Sequence, residues 1–85
     1  MKLPPNFIPY AESIGVKLLK DDIKLLERLL SNYPSGLHRE LLSDYLREYV
    51  QALGEETKGR TEASKQNSAR FYANTWIRKK VMALQ

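Results

Sequence analysis

The sequence predicts an all-α fold, a small bundle of three main helices with a Pro-containing N-terminal arm. Apolar residues recur every three or four positions in three separate stretches. Proline and glycine lie between the first two stretches, and a polar loop separates the second from the third. No run of alternating β-branched residues indicates a strand. We therefore expect all 85 residues to form a single helical domain, 1–85.

The first 20 residues are predicted to be an arm or a short helix. Three prolines occur up to Pro9, so we expect no regular helix there. Residues 10–20 fit either a short helix or an extended segment docked on the bundle. A helix continuing through Lys20 would place Asp22 in the middle of an apolar face, which argues for a break at Lys20.

Residues 21–54 carry two helices with apolar stripes. We expect the first over about 21–32, with Asp21 or Asp22 as its cap. The second follows a turn at Pro34 and is expected over about 36–53, with Gly54 ending it. Its apolar positions cover about half of the circumference, so it is predicted to be the central helix.

Residues 55–85 are predicted to be a polar, basic loop and a third helix over about 62–83, with Thr61 as the candidate cap. This part of the chain carries the whole charge excess. It holds seven basic residues against three acidic ones, whereas residues 1–54 hold seven of each. The net charge of +4 is therefore confined to the C-terminal third, and such a local excess of cations attracts polyanions.

Composition makes several function classes improbable. The chain has no cysteine, which excludes disulfides and thiolate metal sites and favours a reducing compartment. There is no signal-like or membrane-spanning apolar run, so we expect a cytoplasmic protein without a membrane partner. His38 is the only histidine, and no phosphate-cradling glycine loop is present. We expect no metal, no cofactor and no enzymatic activity.

The third helix and the loop before it are the predicted nucleic-acid-binding surface. A helical wheel predicts that Asn, Arg and Thr side chains face away from the apolar stripe, and these residue types contact phosphates and base edges. An aromatic ring among them can stack on an unpaired base. Four cations are assigned to phosphates: Lys58, Arg60, Lys65 and Lys79. Closer contacts are assigned to Asn67, Arg70, Phe71, Asn74 and Arg78.

A protein partner is the alternative to nucleic acid. Phe71 and Met82 would then anchor the contact, with the charges as its rim. The wide apolar stripes of the first two helices also favour a homodimer or docking on a larger protein. A helix-turn-helix is disfavoured, because the connection of residues 54–61 is longer than its turn. The choice between DNA and RNA stays open.

Overall fold

The computed structural model describes residues 3–55 and 61–84, and this part of the chain is all-helical and contains no strand. Four helices follow in order: α1 (Phe7–Ser13), α2 (Lys20–Leu30), α3 (Ser35–Glu55) and α4 (Glu62–Leu84). The last three match the predicted ranges within two residues at each end. The predicted arm contains the additional short helix α1. None of these four helices is both long and apolar enough to cross a bilayer.

Helix α1 lies where no regular helix was expected. It begins at Phe7, so Pro9 is its third residue. The first N–H groups of a helix have no partner within it, and the amide hydrogen that proline lacks is therefore not missed. Phe7 and Ala11 of this helix are buried in the core. The prediction that no helix forms around Pro9 was wrong, because proline is tolerated in the first turn of a helix.

The chain leaves α1 through Gly15, which has a φ of +87°. Glycine adopts this left-handed conformation without the steric cost of a side chain. The turn brings the N–H of Val16 back to the carbonyl of Ala11 at 2.9 Å and buries the Val16 side chain. Residues 10–20 thus combine both predicted forms, a short helix followed by a docked segment.

The predicted break at Lys20 is confirmed, since α2 begins there. The cap differs from the prediction, because Leu19 holds the N-cap position. Asp22, the third residue of the helix, accepts a hydrogen bond from the N–H of Leu19 through Oδ2 at 2.8 Å. A carboxylate in the first turn also interacts favourably with the helix dipole. Asp22 is nevertheless buried, which the sequence did not indicate.

Helix α3 is the long helix against which α4 packs most extensively. Its Tyr45 and Tyr49 are fully buried, with ring centroids 6.3 Å apart in an edge-to-face arrangement. Gly54 lies inside the helix rather than ending it. On the other side of α3, Asp44 pairs with Arg47 at 2.9 Å, as expected of a solvated charged face.

Helix α4 begins as predicted. The N–H of Ser64 donates to Oγ1 of Thr61 at 3.1 Å, so Thr61 is the N-cap. The buried side of the helix includes Ala69 and Ala73, whose small side chains allow a neighbouring helix to approach closely. The full set of buried residues on α4 is Gln66, Ala69, Ala73, Ile77 and Val81.

The core joins all four helices and covers most of the apolar stripes of α2 and α3, although Leu37 and Val50 of α3 are exposed. It contains Phe7, Ala11, Val16, Leu26, Leu30, Leu41, Leu42, Tyr45, Leu46, Tyr49, Ala69, Ala73, Ile77 and Val81. The α1 region supplies cover that three helices alone would lack. Most of both stripes is therefore covered within this chain, and the homodimer stays a prediction. Helix α4 has exposed apolar residues that the core does not cover.

Candidate nucleic-acid interface

The side of α4 that faces α2 holds a buried polar network. Asn74 donates through Nδ2 to Oδ1 of Asp22 at 2.9 Å and accepts through Oδ1 from the Tyr45 hydroxyl at 2.7 Å. Arg70 places Nε 2.9 Å from Oδ2 of the same carboxylate. The four side chains connect α2, α3 and α4 through a single acidic group.

Arg70 is held inside the protein. Its side chain is 16% exposed, and that of Asp22 is 4% exposed. The Nε–H group makes no aligned hydrogen bond. Arg70 and Asp22 therefore interact as an ion pair and not through a directed hydrogen bond at Nε. Nη1 donates to Oδ1 of Asn67 at 2.5 Å. The positive charge of Arg70 is therefore compensated within the chain.

A second polar cluster lies nearer the start of α4. Gln66 accepts from the Tyr49 hydroxyl at 2.5 Å and donates to the carbonyl of Gly15 at 2.8 Å. It also lies 3.2 Å from Glu62 and accepts from the N–H of Lys17 at 3.3 Å. Buried polar groups are stable when they are satisfied in this way. These bonds fasten the turn after α1 to α4.

Burial changes the acidity of both buried tyrosines. Loss of water raises the pKa of Tyr45 far above its ordinary range, and the nearby charge of Asp22 raises it further. Burial likewise raises the pKa of Tyr49. Both phenols consequently stay neutral and serve as hydrogen-bond donors to α4.

The structure corrects the predicted placement of Arg70 and Asn74. Both were expected on the outward face of the C-terminal helix, and both instead take part in the buried network. At 100° per residue they lie 60° to 100° from the buried Ala73, which is the boundary of the stripe. A polar side chain there turns inward when a neighbouring helix offers a partner, and Asp22 of α2 is that partner.

The outward side of α4 carries a different set of side chains. Phe71 is 74% exposed and Met82 is 71% exposed. Arg78 and Lys79 are exposed between them along the helix, and Thr75 is half-buried. At 100° per residue, these five residues lie within about 60° of the direction opposite the buried stripe. We call them the outer face of α4.

Two further aromatic residues border the outer face. Tyr72 is 49% exposed and donates its hydroxyl to Glu48 of α3 at 3.1 Å, a bond that raises its pKa. Trp76 is half-buried, with part of its ring against the core. A shallow depression on the surface is lined by Phe71, Tyr72, Thr75, Trp76 and Lys79. By helical spacing, both residues lie at the edge of the buried side of α4.

Two other predicted residues, Lys65 and Asn67, are not part of the outer face. Lys65 is half-buried in the first turn of α4, and Asn67 is exposed beside Arg70. Lys58 and Arg60 lie outside the described residues. The structure therefore brings together Phe71, Arg78 and Lys79 of the nine predicted residues.

Lys80 is exposed but faces a different neighbourhood. It lines a groove at the C-terminal end of α4 together with Glu40, Asp44 and three leucines, two of α3 and one of α4. The carboxylates of α3 oppose the attraction of an anion there. Lys80 is therefore not counted in the outer face.

Comparisons with known proteins supply no relative for this chain. No family model matches it, and no curated protein and no solved structure was found to match it.

Proposed function

We propose that this chain is a small helical nucleic-acid-binding protein that uses the outer face of α4 and contacts its ligand mainly through phosphates. The observation that carries the proposal is the position of Arg78 and Lys79, which are exposed on the same side of α4 as the 74% exposed Phe71, about two turns further along the helix. Cations neutralise phosphates, and an exposed ring offers a surface to a base. The proposed role is binding in the cytoplasm, as a regulator or an accessory domain.

The charges on α4 support an anionic ligand. Glu62 is the only acidic residue of this helix, and it lies about 24 Å along the axis from Arg78. Arg70 contributes little to the field because Asp22 compensates it. The attraction of the outer face thus depends chiefly on Arg78 and Lys79, which have no acidic neighbour within one turn of the helix.

The order of side chains along the outer face favours nucleic acid over a protein partner. Phe71 and Met82 are about 16 Å apart along the helix, and Thr75, Arg78 and Lys79 lie between them. Protein interfaces have apolar centres from which lysine is depleted, with charge at the rim. Here the cations lie in the middle. A phosphate-containing ligand suits that order better.

The proposal is tested by fluorescence anisotropy with labelled DNA and RNA of mixed sequence at low salt. The double variant Arg78→Ala/Lys79→Ala should bind at least about tenfold more weakly than the unchanged chain. The matched control is Lys20→Ala/Lys24→Ala, which removes the same charge from exposed positions of α2. Equal losses in the two variants, or no binding at micromolar protein, would overturn the proposal.

A protein-interaction module, homodimeric or with another partner, is the second candidate. The exposure of Met82 favours it, because a methionine is an adaptable apolar contact and offers little to a phosphate. This candidate predicts binding that depends weakly on salt and large losses on Phe71→Ala and Met82→Ala. Light scattering at high concentration tests its homodimeric form, which a mass of 9.9 kDa would exclude.

A further inference from the structure

We infer that the outer face of α4 binds unpaired nucleotides in preference to duplex, with a base stacked on Phe71. This inference rests on the proposed function and specifies its ligand. It comes from the internal hydrogen bonds of α4 taken together with the shape of the surface around Phe71.

The side chains of α4 suited to reading a duplex are already engaged. Asparagine and arginine read base edges in the major groove through paired hydrogen bonds. Helix α4 has two of each, and three of the four are bonded internally: Arg70 to Asn67, and Asn74 to Asp22 and Tyr45. Of these four residues, only Arg78 remains available to contact a base edge. One residue cannot set the register of a groove-docked helix.

The surface around Phe71 is instead suited to stacking. The shallow depression beside the ring is bordered by Tyr72, Trp76 and Lys79. A base that enters it would lie against aromatic carbon, while the lysine ammonium reaches the adjacent phosphate. In a duplex both faces of each base are covered by its neighbours, so no face is free to stack on a side chain. Unpaired bases have such a face, whatever their sequence.

Exposure of Phe71 also separates this role from folding. The ring is 74% exposed and is not part of the core. Its replacement by alanine should leave the helices intact, so that a loss of binding reports on the surface. Tyr10 of α1, 58% exposed, is a matched aromatic position away from α4.

The test compares three labelled ligands of about 12 residues or base pairs: oligodeoxythymidine, oligouridine and a mixed duplex. Anisotropy gives the affinities, and emission from Trp76, the only tryptophan, gives an independent signal from the depression. The full chain, Phe71→Ala and Tyr10→Ala are measured in parallel. Circular dichroism verifies that both variants are folded.

The inference predicts that at least one single strand binds roughly tenfold more tightly than the duplex and quenches Trp76 emission. Phe71→Ala should remove most of that preference, and Tyr10→Ala should not. The ranking of the two single strands then identifies the sugar that is preferred. Equal affinity for duplex, or a preference unaffected by Phe71→Ala, overturns the inference and leaves the proposed function standing. Absence of binding to all three ligands at low salt overturns the proposed function itself.

Discussion

Replacement of Asp22 by alanine is expected to destabilise the fold more than any other single change to the polar network. The carboxylate compensates Arg70, accepts from Asn74 and accepts from the N–H of Leu19 at the start of α2. Removal therefore leaves a mostly buried guanidinium without its counter-charge. It also leaves two donors without an acceptor.

The size of the expected loss in stability follows from the burial of the Asp22–Arg70 pair. Loss of one partner of a buried ion pair costs about 3–5 kcal/mol, and the 16% exposure of Arg70 places this pair toward the lower end. Loss of the helix-start contact adds about 0.5–1 kcal/mol. We expect a loss of about 3–4 kcal/mol for Asp22→Ala. Arg70→Ala should cost less, about 2 kcal/mol, because Asp22 keeps two hydrogen-bond donors.

Urea unfolding followed by circular dichroism measures these losses. A domain of this size has a total stability of about 4–13 kcal/mol, so the Asp22→Ala variant is marginal and should be studied at low temperature. The double variant Asp22→Ala/Arg70→Ala completes a cycle in which the two losses should fall short of additivity by about 1–3 kcal/mol. Additive losses, or a loss below about 1 kcal/mol for Asp22→Ala, would refute the network. Arg70→Ala with unchanged stability and weakened nucleic-acid binding would restore Arg70 to the binding surface.

Three further changes test the fold. Tyr45→Phe leaves Oδ1 of Asn74 without its donor and should lower the free energy of unfolding by about 1–2 kcal/mol in the same urea assay. An unchanged stability would show that this hydrogen bond is absent. Burial raises the pKa values of Tyr45 and Tyr49 above the unfolded value of 10.0, so their contribution to stability should be constant from neutral pH to about pH 10 and should be lost above it. A stability that stays flat from neutral pH through about pH 11 would contradict their burial. Gly15→Ala meets no atom within 4 Å but must adopt a φ of +87°, so thermal melting should show a loss of about 1 kcal/mol from backbone strain alone.

The three long helices were predictable because their apolar residues repeat at helical spacing over 11 to 23 residues. Helix α1 was not predictable, since seven residues carry too little periodicity and Pro9 argued against a helix. Proline is compatible with the first turn of a helix, but Pro9 can be placed in that turn only when the start of the helix is known.

The candidate site was predictable in its charge but only partly in its geometry. The cation excess near the C-terminus can be counted, and Phe71 and Lys79 fall on the outward side by helical spacing alone. Arg70 and Asn74 lie at the stripe boundary, where spacing leaves the direction open. The partner that turns them inward, Asp22, is 52 residues from Asn74 along the chain. Only the packing of α2 against α4 brings those residues together.

The salt dependence of single-strand binding tests the central claim most directly. Each phosphate neutralised on a single strand contributes about 0.7 to the slope of log affinity against log salt. If Arg78 and Lys79 each contact one phosphate, Arg78→Ala/Lys79→Ala should make the slope shallower by about 1.4, while Lys20→Ala/Lys24→Ala should leave it unchanged. A slope that is the same in the unchanged chain and both variants would contradict binding through the outer face of α4.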